Sequence, residues 1–105
     1  MTPFESIQIN PNYFIAHQLL DYYEFESLLN KIKKSTYSLE DFYKIKNEQR
    51  KFEWLSIRHL MIQLGFEKED IVYNKHGKPS LLNSNSFLSI SHAKNRIAVG
   101  INKLN

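Results

Sequence analysis

Apolar and polar positions change their spacing twice along this chain. In the first twenty residues they alternate: Ile7 and Ile9 are separated by polar neighbours, and Tyr13 to Leu20 is rich in aromatic and β-branched side chains. Asn10-Pro11-Asn12 lies between these stretches and is a turn signal, so the segment predicts a β-hairpin. From Glu24 to Lys34 the spacing becomes helical, with Phe25, Leu28, Leu29 and Ile32 on one face. Ser35 to Ser38 interrupts it. Ser38, followed by Glu40 and Asp41, is a helix start with negative charge in the first turn. Phe42, Ile45, Phe52, Leu55, His59/Leu60 and Leu64 then mark a long apolar stripe, with Gly65 as its C-cap. The stripe fits one bent helix or two.

After Gly65 the alternation returns. Asp70–Asn74 predicts a strand, Lys75–Pro79 a turn, Ser80–Leu82 a short extended piece and Asn83–Ser86 a loop. Phe87–His92 alternates apolar and polar over six residues, Ala93–Asn95 is a turn, and Arg96–Asn102 is a further strand. Strands, then helices, then strands predict an α+β fold in which a small antiparallel sheet packs on a long helix. There are no repeats, no low-complexity segments and no linker, so residues 1–105 read as a single domain.

Charge changes this picture. The net charge of +3 conceals an uneven distribution. Residues 1–70 hold nine Lys/Arg against eleven Asp/Glu, whereas residues 71–105 hold five Lys/Arg and no carboxylate. A block of one sign attracts anions such as phosphates. A nucleic-acid surface would add exposed aromatics between the basic residues; Tyr73 and Phe87 read as core, so no nucleic acid is expected. Composition adds exclusions. The chain has no cysteine, hence no disulfide, thiol nucleophile or thiolate metal site. It has no apolar run near the ~18 residues of a membrane span and no signal-peptide pattern, so the expectation is a cytoplasmic protein off the membrane.

Candidate chemistry concentrates in His76–His92. Gly77 allows close backbone approach to a ligand, Lys78 supplies a point charge, and Pro79 fixes the turn. Ser91 and His92 are expected at a strand end, where backbone N–H groups and the imidazole come free, with Lys94 and Arg96 close behind. Arg50 and Arg58 lie eight residues apart, roughly on one face of the long helix, and guanidinium groups bind phosphate bidentately. No metal-ligand spacing links His17, His59, His76 and His92; His17 and His59 read as packed or half-exposed. No nucleophile is set beside a base and an orienting acid.

The segment from Arg50 to Ile101 resembles the N-terminal half of the surfactin-type 4′-phosphopantetheinyl transferases. The extended pair near the N-terminus and the Asn-Glu-Gln-Arg-Lys run at 47–51 also fit, so the resemblance covers essentially the whole chain. The resemblance rests on Glu53-Trp54-Leu55, Arg58 and Leu60 on the helix, Ile71 and Tyr73 on a strand, Gly77-Lys78-Pro79, and Ile90-Ser91-His92 with the strand after it. It implies one half of a pseudo-dimer of two α+β halves, with coenzyme A and Mg2+ in the cleft between them. It implies transfer of the phosphopantetheine arm to a serine of an acyl or peptidyl carrier protein. By position it nominates Gly77, Lys78, Pro79, Ser91, His92, Arg58 and Arg50 as coenzyme A contacts. Ala93 departs from the serine usual after the histidine. The family's metal-binding Gly-Ile-Asp-x-Glu and its Trp-x-x-Lys-Glu have no counterpart here, and no Asp or Glu follows Asp70. The expectation is therefore a coenzyme A-binding half with no metal ligand or catalytic residue in these 105 residues, inactive alone. It would be completed by a C-terminal half or a homodimer partner docking at the free edge of the last strand. The alternative is a non-catalytic module that binds coenzyme A, a nucleotide or a carrier protein.

Overall fold

The computed structural model describes residues 4–19, 21–66, 71–82, 86–93 and 95–103. Asn10-Pro11-Asn12 does turn the chain. Strand β1 (Phe4–Asn10) pairs antiparallel with β2 (Tyr13–Leu19), and the register shifts between Gln8 and Asn10. A 3-10 turn, Tyr22–Glu24, leads into α1 (Phe25–Lys33), whose Leu28 and Ile32 are fully buried.

The long stripe resolves into two helices, α2 (Glu40–Lys44) and α3 (Glu48–Gln63). Between them Ile45 is extended (ψ 129°), and so is Asn47 (ψ 126°), whose side-chain oxygen accepts the Arg50 backbone N–H at 3.0 Å. That bond satisfies one of the N–H groups a helix start leaves without a partner. Ser38 accepts the Glu40 N–H at the start of α2, although the capping position itself is Leu39. At the other end Gly65 has φ +86°, its N–H donates to Ile62, and the Phe66 N–H donates to Met61. This is the Schellman arrangement, and Phe66 is tucked under it into the core.

β3 (Ile71–Tyr73) and β4 (Pro79–Leu81) form a two-stranded ladder. β5 (Ser86–Ala93) and β6 (Arg96–Lys103) join the first hairpin in a four-stranded sheet of order β1-β2-β6-β5. The last strand is thus interior, paired with both β2 and β5, and its Ile97, Val99 and Ile101 are fully buried. The expected free edge at β6 is corrected: the sheet ends at β1 and β5.

The architecture is α+β with small antiparallel sheets and helices. One core lies between α3 and the sheet, built from Ala16, Ile57, Leu60, Met61, Val99 and Ile101 among others. The other lies between α1, α2 and α3, around Leu28, Ile32, Phe42, Phe52 and Leu55. Because α3 separates the two cores, it is buried from Trp54 to Met61 on every side, including Ser56, Arg58 and His59. Of its buried polar groups, Ser56 Oγ accepts the Gln18 amide on β2 at 3.2 Å, whereas the Arg58 Nη1 and His59 Nε2 atoms make no hydrogen bond among the described residues.

A candidate nucleotide cleft at the start of α3

A cleft of about 770 Å3 opens where α3 begins. This volume lies within the roughly 300–1,000 Å3 usual for small-molecule sites. One part of its wall is cationic, formed by Lys44, Lys46 and Arg50 around the Asn47 cap. Backbone N–H groups at a helix start carry partial positive charge, so this part of the wall favours anions through both formal charge and dipole. Another part is largely apolar, formed by Ile57, Pro79 and Ile90 with the Tyr73 ring and the mostly buried Trp54.

The β3–β4 turn brings Gly77 and Pro79 to the cleft. The Asn74 side chain accepts the backbone N–H groups of His76 (2.8 Å) and Lys78 (2.9 Å), and its own N–H donates to the Lys78 carbonyl. Gly77 sits at φ +81°, where a side chain would be strained. The turn is therefore fixed by one asparagine and one glycine.

His92 reaches the cleft from β5. In the register it continues the inward row Leu88, Ile90, His92, with Ile97 opposite. Its Nδ1 lies 3.9 Å from Glu53 Oε2, and the Gln49 amide donates to that same oxygen at 3.2 Å. The Glu53 side chain is set back in the wall at 17% exposure while the imidazole stands forward at 60%. Both residues also line a shallower hollow with Gln49, Ala93 and Asn95.

Of the seven nominated residues, Arg50, Gly77, Pro79 and His92 come together in this cleft. Lys78, Ser91 and Arg58 are not among its lining residues. Lys78 is exposed beside it. Ser91 is exposed and, as the strand neighbour of His92, faces the opposite side of the sheet. Arg58 is only 6% exposed, its guanidinium stacked 4.0 Å over the Trp54 ring. Burial lowers the pKa of Arg58, and Tyr73, Tyr37 and Asp41 oppose that shift. Arg50 and Arg58 therefore do not share a site: the first is exposed at the start of α3 and the second is inside the protein.

Three further expectations change. Ser91 and His92 lie in the last three residues of β5 but are still paired on one side, since pairing continues through Ala93 with Arg96. What frees backbone groups there is the edge position of β5 in its sheet. Tyr73 and Phe87 are not core residues, being 49% and 64% exposed. They stand on different surfaces, Tyr73 in the cleft and Phe87 on the outward row of β5, so they make no continuous stacking platform. Arg96 also leaves the basic cluster: from β6 its Nη1 donates at 3.0 Å to His17 Nδ1 on β2, on the side away from β5. Lys94 lies outside the described residues.

Pattern reading missed Lys44, Lys46, Asn47 and Glu53 as parts of the wall. Lys-Ile-Lys-Asn at the break between two helices was the available signal. Glu53 was visible only as one residue of a helical motif. Among the described residues no group of three or more side chains could hold a metal ion, and no helix is long and apolar enough to cross a membrane. No protein-family model matches the chain, and no curated protein is detectably similar to it.

Proposed function

We propose that this chain forms the coenzyme A-binding wall of a 4′-phosphopantetheinyl transferase and serves transfer of the phosphopantetheine arm to an acyl or peptidyl carrier protein. The supporting observation is the make-up of the cleft: cations and a helix start beside a largely apolar wall, with Arg50, Gly77, Pro79 and His92 converging there. A nucleotide with several phosphates presents the matching chemistry. Its base needs an apolar surface such as that of Tyr73, Pro79 and Ile90, and its phosphates need donors such as Lys44, Lys46, Arg50 and His92.

Mg2+, which the family uses, is not provided for by these residues. A magnesium site takes one or two carboxylates plus phosphate oxygens. The lining carries a single carboxylate, Glu53, already engaged by Gln49 and facing His92. No step through the metal is assigned to these side chains, and none is given a catalytic role. They hold and orient the nucleotide, while metal ligands and acid/base groups belong to a second half or a partner subunit. The scarcity of carboxylates equally suits the second reading, a binding module without catalysis.

Calorimetric titration of the chain with coenzyme A tests the shared premise. Saturable binding is expected, weakened about tenfold or more by Arg50→Ala, which corresponds to about 1.4 kcal/mol. Binding of RNA or DNA without binding of coenzyme A would sink both readings. Labelling of a carrier protein after a candidate second half is added separates the transferase from the module.

A further inference from the structure

Glu53 is out of place in an anion cleft. It is a carboxylate in a wall that otherwise presents Lys44, Lys46, Arg50 and His92, and by simple charge it should repel the ligand. Its geometry suggests another role. Glu53 sits one turn after Gln49 on α3, so the Gln49 amide reaches Oε2 at 3.2 Å and fixes the carboxylate. The same oxygen is 3.9 Å from His92 Nδ1, on a different element of the fold. The carboxylate is recessed and the imidazole exposed, so the ligand meets the histidine first. The two nitrogens of an imidazole point away from each other, so a ring whose Nδ1 faces Glu53 turns Nε2 away from it. A partner on one ring nitrogen decides which nitrogen carries the proton and how the ring is oriented.

Resting on the coenzyme A reading above, we infer that Glu53, oriented by Gln49, is a positioning residue. Its carboxylate faces Nδ1 of His92 across 3.9 Å and favours a proton there, so that Nε2 is presented as the phosphate-binding edge. In the complex Nδ1–H faces the carboxylate and Nε2–H donates to the phosphate. The carboxylate thus strengthens phosphate binding through the histidine by more than it weakens it through space.

The experiment has two arms. In the first, calorimetry compares Glu53→Gln and Gln49→Ala with the unaltered chain, using coenzyme A and adenosine as probes. Affinity for coenzyme A is expected to fall about tenfold in Glu53→Gln and by less in Gln49→Ala, with weak adenosine binding unchanged. Coenzyme A binding as tight as before, or tighter, in Glu53→Gln would show the carboxylate to be a mere repellent and overturn the inference. The second arm reads the ligand-free protein by long-range 1H–15N correlation of the histidine rings, with His92→Gln used for assignment. A proton-bearing Nδ1 in the unaltered chain, lost in Glu53→Ala, is the expected result; an unchanged ring pattern rejects it. If the unaltered chain binds no coenzyme A, the coenzyme A reading fails while this second arm still decides the Glu53–His92 relation.

Discussion

His59 shows how a residue's place in the fold resets its chemistry. It is 2% exposed on α3, and burial, assisted by the positive charge of Lys31, lowers its pKa from 6.5 to about 4. The folded protein therefore holds the neutral ring where the unfolded chain would protonate it. Stability from this residue is complete above pH 6.5, declines as the pH falls toward about 4, and declines no further below that. The full effect is at most about 3 kcal/mol. Urea denaturation at about pH 7.5 and about pH 5 should show more than half of this loss, and His59→Gln should flatten the difference between the two. A sequence pattern could place His59 on the buried stripe. It could not reveal burial on the helix's remaining faces, because that depends on which elements pack on either side. Arg58 is the companion case: its charge and helical phase suggested a phosphate contact, yet the space under it is filled by Trp54, and the guanidinium serves as packing.

Elements were legible where local chemistry governs them. Asn-Pro-Asn, Asn74 with Gly77, and Gly65 each set a turn or helix end that neighbours alone specify. The α2–α3 break was not fixed by periodicity, since Ile45 is half-buried and so keeps the apolar rhythm across the gap. The position of β6 was not legible either. A strand with alternating apolar residues looks the same at the edge or in the middle, and only pairing with β2 settles it. The break has a functional side, because it carries Lys44 and Lys46 to the start of α3. Asn47→Ala should cost about 1 kcal/mol of stability through loss of the cap. On the proposed coenzyme A reading it should also weaken binding modestly, because fraying of the first turn would loosen the anion-facing N–H groups. Denaturant melts and calorimetry on the same preparation check both.

At the scale of the molecule, the cleft draws on α2, α3, the β3–β4 hairpin and β5, so a ligand seated there contacts both sides of the α3 scaffold. Such a ligand acts on the folded state alone. At a hundredfold excess over its dissociation constant, coenzyme A should add about 2.7 kcal/mol to stability. On the proposed reading the rise in melting temperature should shrink with added salt, because Lys44, Lys46 and Arg50 would act on the phosphates through screened charge. Thermal melts with and without coenzyme A at low and high ionic strength give the comparison, and no rise at low salt would refute it. The cleft wall also has an optical consequence. The chain has one tryptophan, and Trp54 forms part of that wall, stacks on Arg58 at 4.0 Å and meets Phe42 in the helical core at 5.5 Å. All tryptophan emission therefore originates at one point shared by the cleft and the core. Quenching by an iodide ion or by a bound nucleotide base would report the cleft, and a red shift would report the loss of the core, without any label being attached.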